Sequence, residues 1–154
     1  MINIFSYRTD LGNTWIAEED GYITRIFLHR ESTPLAEASY QETAVLKEAY
    51  QQLTEYLNGT RQDFTLPLKP QGTPFQIKVW YALLNIPYGN TASYQDVAIT
   101  IGNERAARAI GSANRLNPLP IFLPCHRVIG KNGSLVGYSE GLHFKTCLLE
   151  LERK

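Results

Sequence analysis

Between Asn117 and Gly130 the chain reads Asn-Pro-Leu-Pro-Ile-Phe-Leu-Pro-Cys-His-Arg-Val-Ile-Gly. Its three prolines constrain the fold more than any other feature. A proline has no N–H and a fixed φ, so Pro118, Pro120 and Pro124 exclude a regular helix and bias their neighbours to extended conformations. The run is apolar up to Pro124, which predicts a buried, extended segment with Cys125 at its end. There a thiol, an imidazole and a guanidinium follow one another as Cys125, His126 and Arg127. Nearby positive charge and hydrogen bonding favour a thiolate, the strongest side-chain nucleophile at neutral pH. The competing reading of a lone cysteine is a small, inert core residue, and His126 alone reads equally as a core or capping histidine. Adjacent side chains of an extended segment face opposite ways, so Cys125 and His126 need a bridging water or a bend to act together. A histidine recruited from elsewhere in the chain, as in cysteine hydrolases, is limited to His29 or His143.

The 154 residues suffice for one domain, or a small domain joined to a modest one, with a core that needs no disulfides. A hydrophobic fraction of 44% argues against disorder. No apolar run approaches the roughly 18 residues of a membrane span, and Met1 to Phe5 lack the basic-then-apolar pattern of a secretory leader. Cys125 and Cys147 are the two cysteines, too few for a disulfide framework. These features predict a reduced, cytoplasmic protein with no membrane partner. Net charge is zero, yet residues 1–70 carry six Lys/Arg against ten Asp/Glu, and residues 71–154 carry nine against five. Arg105, Arg108, Arg115, Arg127 and Lys131 form a stretch without an acid, which could draw a polyanion or simply keep a surface solvated.

Residues 1–70 read as a small α+β unit without evident chemistry. Ile2-Asn3-Ile4, Trp15-Ile16-Ala17 and Tyr22 to Leu28 have strand composition, and Asp20-Gly21 is a hairpin signal. From about Ala36 to Leu57 the period becomes helical, with Leu46, Tyr50, Leu53 and Leu57 on one stripe and Asn58-Gly59 as the stop. Phe64-Thr65-Leu66 reads as one more strand, and Pro67, Pro70 and Gly72 mark a connection.

Residues 71–154 open on a capping box, Thr73-Pro74-Phe75-Gln76. Phe75, Val79 and Leu83 form its apolar row, with Trp80 and Leu84 beside it, and Ile86-Pro87-Tyr88-Gly89 ends the helix. Ser93-Tyr94-Gln95-Asp96 opens a short helix to about Ile101. Gly102-Asn103 breaks it, with Asn103 as cap of a third helix from Glu104 to about Leu116. Two short helices across a tight turn make a helix-turn-helix. Arg108 and Arg115 share one face of the second. Gly111-Ser112-Ala113 in its middle permit close approach, either to DNA or to another helix. Phe144, Cys147 and Leu151 are predicted as the apolar face of the last helix, and His143 as surface.

Pro-Cys-His-Arg-Val-Ile-Gly, preceded by Arg-Ala-Ile-Gly-Ser-Ala-Asn and Asn-Pro and followed by Gly-Tyr-Ser-Glu-Gly-Leu, resembles the 6-O-alkylguanine-DNA alkyltransferase family. Phe75-Gln76, Val79-Trp80, Ile86 to Gly89, Ser93-Tyr94, Ala107-Arg108-Ala109 and Leu148-Leu149 fall in the family's order, so the resemblance covers about Gly72 to Glu152. It implies an α+β chain: a small ribonuclease-H-like α/β subdomain at 1–70 and a mostly helical, winged-helix-like domain at 71–154. The implied activity is direct reversal of 6-O-methylguanine, and of 4-O-methylthymine, in double-stranded DNA. The base is flipped out and its alkyl group passes irreversibly to Cys125, one turnover per molecule.

The resemblance further implies His126 as base through a water, oriented by Glu152. Asn117 would hold the active-site turn, and Tyr94 would bond the base's ring nitrogen. Val128 and the Cys125 carbonyl would read the exocyclic amine. Pro120, Tyr138, Ser139 and Glu140 would complete the pocket. Arg108 would enter the stack from the minor groove, only about 6 Å wide, with Ser93, Gly111, Ser112, Asn114 and Arg115 as further DNA contacts. The implied protein is a monomer that needs no cofactor and no metal, since residues 1–70 hold no cysteine and one histidine, His29. Two positions depart from the family. Glu140 stands where a glycine is usual and is expected to narrow the pocket against bulky adducts. Glu104 replaces a common proline and is expected to suit a helix dipole. The alternatives are a binding-only protein that flags alkylated DNA, a cysteine hydrolase, and a DNA-binding regulator or redox sensor.

Overall fold

The computed structural model describes residues 1–130 and 142–154. The described residues form two compact units, Met1–Gln71 and Gly72–Lys154.

In the first unit β1 (Ile2–Thr9), β2 (Gly12–Glu19) and β3 (Tyr22–Phe27) form an antiparallel meander. The Asp20-Gly21 turn between β2 and β3 has φ of 55° and 83° at its two central residues. Both angles are positive, as a two-residue hairpin requires, and glycine adopts the second without strain. β4 (Ser39–Tyr40) adds to the sheet parallel to β1, giving the order β3-β2-β1-β4. Helix α1 (Ala44–Leu57) packs on β1, β2 and β3 through Leu46, Ala49, Leu53 and Tyr56. Each of the two leucines contributes about 1.5–3 kcal/mol on burial. Ile4, Trp15 and Ala17 form a second cluster, covered by Phe27, Leu35 and Ala38.

Three readings of this unit change. The helix starts at Ala44 rather than Ala36, because the preceding residues pair with β1 and the Gln41 N–H donates to the Ile4 carbonyl at 3.0 Å. Its buried stripe is displaced from Tyr50 and Leu57 to Ala49 and Tyr56. Phe64-Thr65-Leu66 is not a strand. Gln52 of α1, itself buried, takes the Thr65 N–H at 2.9 Å and donates to its hydroxyl at 3.0 Å, supplying the bonds a strand partner would. Only Leu68 bridges to Ile23.

The second unit holds α2 (Pro74–Ala82), β5 (Ala92–Ser93), α3 (Tyr94–Thr100), α4 (Ala107–Arg115), β6 (Val128–Ile129) and α5 (Leu142–Glu152), with β5 and β6 paired in parallel. Both capping boxes form, at Thr73/Gln76 and at Ser93/Asp96. Trp80 is buried and its indole N–H donates to the Ala113 carbonyl at 2.8 Å, fixing α2 against α4. Leu84, expected beside the apolar row, is 52% exposed. Helix α4 begins at Ala107 rather than Glu104, with no side-chain cap from Asn103. The Glu104 carbonyl, which a helix beginning there would use, instead accepts from the Gln95 side chain at 3.0 Å. Glu104 is therefore not in the first turn of α4, and the dipole argument for it lapses.

Candidate active site

Asn117 to Pro124 form a compact turn instead of an extended run. The Leu123 N–H returns to the Leu119 carbonyl at 2.8 Å, and Pro120 bridges Leu123. Ile121 sits at φ 77°, a conformation a β-branched residue adopts at a cost of about 1–3 kcal/mol when its surroundings enforce it. Asn117 supplies that enforcement: its amide donates to the Leu123 carbonyl at 2.8 Å and accepts from the Leu119 N–H at 2.9 Å. The same Leu123 carbonyl accepts the Cys125 N–H at 2.7 Å.

Cys125, His126 and Arg127 then make one 3-10 turn, closed by the Val128 N–H on the Cys125 carbonyl. The prolines excluded an α-helix but not this tighter winding, so the opposed geometry of an extended segment does not apply. Cys125 and His126 have no exposed surface. His126 Nε2 lies 2.7 Å from Glu152 Oε2. Arg127 donates from Nε to Glu152 Oε1 at 2.9 Å and from Nη2 to Oε2 at 3.0 Å. Its Nη1 donates to the Ile86 carbonyl at 2.8 Å, and its guanidinium lies 5.7 Å from the centre of the Tyr88 ring. The Gly89 N–H completes the set at 3.3 Å from Glu152 Oε1. Gly89 has φ 84°, so the Ile86-Pro87-Tyr88-Gly89 loop is shaped by the one residue that reaches this angle freely. A buried carboxylate persists when its charge is matched and its lone pairs are bonded, and Glu152 has both.

This network fixes the state of His126. Burial pushes its imidazole below the ordinary value of 6.5, and the Glu152 hydrogen bond and charge only partly oppose this. The ring is then neutral near pH 7, with its proton on Nε2 facing Glu152, and proton exchange with Cys125 falls to Nδ1. As pH falls the unfolded chain takes up this proton first, so the stability held by neutral His126 is present above 6.5 and is lost toward the lower folded value. Urea midpoints are expected to drop as pH falls below 6.5. A His126→Gln variant should show a shallower drop, and equal slopes for both proteins would contradict the assignment.

Lys145, which the sequence reading passed over, is fully buried and donates from Nζ to the Val128 carbonyl at 2.6 Å. Burial pushes its ammonium down while the negative charge of Cys125 pushes it up. It is thus the cation beside Cys125, in the part assigned by sequence order to Arg127. The buried stripe of α5 is Lys145, Leu148, Leu149 and Glu152. Phe144, Cys147 and Leu151 are half-buried, so Cys147 is not a core residue. The stripe is rotated because two charged residues with buried partners outweigh an apolar row one position away. The spacing of Lys145 and Glu152, seven residues apart on one face, was the available signal.

Tyr94 is half-buried, and burial raises its phenol, with the Cys125 charge adding to the effect and Arg115 opposing it. Arg105, Arg108, Ser112 and Arg115 are exposed, the last three along one stripe of α4. Gly111 faces the Tyr94 ring, and an added Cβ would meet it at an ordinary 3.8 Å, so close packing inside the protein does not explain this glycine. Two expected DNA contacts are otherwise engaged. Asn114 is fully buried with its amide on the Cys125 carbonyl at 3.2 Å, and the Ser93 hydroxyl accepts the Asp96 N–H at 3.0 Å as a helix cap. Arg127 is buried too and drops out of the surface charge. Tyr138, Ser139, Glu140 and Lys131 lie outside the described residues. Among the described residues no group of three or more His, Cys, Asp or Glu could hold a metal, and no helix is long and apolar enough to cross a membrane.

Residues 74–154 match the family model described as the 6-O-methylguanine DNA methyltransferase DNA binding domain, and residues 5–70 match its ribonuclease-like domain. The chain belongs to the 6-O-methylguanine DNA methyltransferase family. It is 50% identical to the constitutive methylated-DNA–protein-cysteine methyltransferase of Bacillus subtilis over 151 residues, covering 94% of this chain and 92% of that one. It is 41% identical to the Mycobacterium leprae methylated-DNA–protein-cysteine methyltransferase, covering 99% and 93%. A Mycobacterium tuberculosis OGT crystallised in complex with DNA superposes with a TM-score of 0.90 at 40% identity, over 98% of this chain and 92% of that one. The α+β architecture matches that of the methyltransferase family. All of the Cys125–His126–Arg127–Glu152 network lies within the stretch that matches the methyltransferase DNA binding domain.

Proposed function

We propose that this chain repairs double-stranded DNA by taking the methyl group of 6-O-methylguanine, and of 4-O-methylthymine, irreversibly onto Cys125. The observation that carries this reading is the buried line from Glu152 to a neutral His126 beside Cys125 in one 3-10 turn. His126 Nδ1 accepts the thiol proton through a water, and Glu152 stabilises the imidazolium that results. The thiolate attacks the methyl carbon. A sulfur–carbon bond forms as the carbon–oxygen bond breaks, and the electron pair leaves with the base. Tyr94, whose raised phenol keeps its proton, donates to the ring nitrogen of the departing base. Lys145 balances the thiolate charge. The product is a thioether, which neither water nor cellular thiols readily reverse, so each molecule reacts once without a cofactor.

A base inside the stack is out of reach of a buried thiol, so it must be flipped out. Arg108 stands on the exposed stripe of α4 and fills the vacated place from the minor groove. Ser112 and Gly111 keep that face shallow, and Arg105 and Arg115 contact phosphates. We assign both DNA binding and alkyl acceptance to residues 71–154, where every member of the network lies, and an α+β subdomain role to residues 1–70. One chain carries every group the reaction uses, which favours a monomer. A thiol that must stay reduced favours the cytoplasm.

Intact mass after incubation with a methylguanine duplex tests the reading: a gain of one methylene on Cys125 is expected. Unchanged mass with retained binding would leave the binding-only alternative. Arg108→Ala is expected to slow transfer from duplex at least about tenfold, since a flipped base costs a few kcal/mol to extrude. Reaction with the free alkylguanine base should be unaffected. Equal losses on the two substrates would remove Arg108 from the flipping step.

A further inference from the structure

Helix α4 inverts the usual order of burial. It buries Asn114 and leaves Leu116, its C-cap, 63% exposed. Among the described residues only Met1 exposes a large hydrophobic side chain more. A buried polar group or an exposed large apolar one is the case that calls for a reason. Asn114 has one in its bond to the Cys125 carbonyl. For Leu116 nothing within the chain supplies one. Its own N–H donates to the Ala113 carbonyl at 3.1 Å, and the next residue, Asn117, is buried in the turn before Cys125. The core side of α4 is filled by Ile110, Ala113 and Asn114, so helical phase turns the leucine outward. There it continues the exposed stripe of Arg108 and Ser112, next to exposed Arg115. From Arg108 to Leu116 that stripe runs about 12 Å at the rise of an α-helix, the length of roughly three to four base pairs.

We propose that Leu116 packs against the deoxyribose wall of the minor groove, an apolar foothold at the opposite end of the stripe from Arg108. This rests on the repair reading above, which lays α4 in that groove, and adds a contact that carries no charge. Between the phosphates the groove is walled by sugar C–H edges, which offer no hydrogen bond and suit an apolar side chain. A sugar contact reads no base, so it serves a chain that must hold duplex of any sequence. The arginines displace counterions and weaken as salt rises, whereas burial of a leucine displaces none. Leu116 therefore keeps its share of the affinity at salt concentrations where the arginines lose theirs.

Salt dependence tests it. Wild type, Leu116→Asn and Leu116→Met are titrated with an unmodified duplex over about 50 to 200 mM salt, and wild type is also incubated with a methylguanine duplex and weighed intact. Asparagine keeps the branched shape and removes the apolar surface, at an exposed position where the fold tolerates the change. Leu116→Asn is expected to lose about five- to tenfold in affinity, the order of partly burying one leucine. The loss should be equal at every salt concentration, leaving the slope of log affinity against log salt unchanged. Leu116→Met is apolar and should bind within about twofold of wild type. A lost phosphate contact would instead flatten the slope by about 0.9, and that result for Leu116→Asn would overturn the proposal. So would an asparagine variant within about twofold of wild type, or a methionine variant as weak as the asparagine one. The intact mass keeps the two readings apart. Wild type that binds duplex but gains no methyl overturns the repair reading, while the titration still decides the leucine contact. Wild type that binds no duplex overturns both.

Discussion

Cys125→Ala is expected to bind a methylguanine duplex and never gain mass from it. The loss is total because, in the proposed reaction, the sulfur is both nucleophile and final acceptor. No second thiol stands in the network, since Cys147 lies half-buried on α5 with its sulfur 3.7 Å from His143 Nε2. The fold should survive. A cysteine is small, and truncation to alanine removes a single sulfur, which costs about 1 kcal/mol or a little more at a fully buried site. Binding should survive because the exposed arginines of α4 are untouched. Titration with labelled duplex and intact mass measured on the same samples check both halves. A methyl gain in the variant would move the acceptor elsewhere and end the assignment.

Glu152→Gln carries the largest expected cost to stability. Glutamine keeps the volume and one acceptor oxygen but removes the charge that balances Arg127, leaving a buried guanidinium with no counter-charge beside the Ile86 carbonyl and the Tyr88 ring. Breaking a buried ion pair from one side costs about 3–5 kcal/mol. The same substitution releases His126 from a fixed tautomer, and loss of an orienting carboxylate lowers activity about a hundredfold. Urea unfolding reads the first effect and single-turnover methyl transfer below the unfolding midpoint reads the second. Glu152→Asp restores the charge on a shorter arm and should fall between the two. A glutamine variant within 1 kcal/mol and threefold of wild type, margins typical of neutral surface changes, would mean the network is idle.

The parts of the fold legible in the sequence are those whose cause is local. Asp20-Gly21 turns β2 into β3 because its two residues accept positive φ. Thr73 and Ser93 start their helices because each finds Gln76 or Asp96 three positions on. The segment around Cys125 was marked as the candidate site by residue type, a thiol and an imidazole beside three prolines, although its extended conformation was not borne out. Less legible was anything settled by a distant partner. Residues 36–43 read as helix by their period, but residues 39–41 spend their backbone on the edge of β1. Phe64 to Leu66 have strand composition but bond to a glutamine side chain. Glu104 has the look of a helix start, yet its carbonyl is taken by Gln95.

The active site divides the same way. The chain's own order picked out Cys125 as the candidate nucleophile, the adjacent imidazole and the arginine-bearing face of α4, because each follows from the chemistry of one short segment, while the turn-holding part of Asn117 came with the resemblance to the alkyltransferase family. Tertiary structure alone decided that Arg127 serves Glu152, that Lys145 is the cation beside the thiol, and that Asn114 faces inward to the Cys125 carbonyl. Those three side chains carry charge or polarity that a sequence reading assigns to solvent. They are buried because partners brought from 11 to 41 residues away complete their hydrogen bonds, and the free energy of a buried polar group is set by those partners, not by its neighbours in the chain.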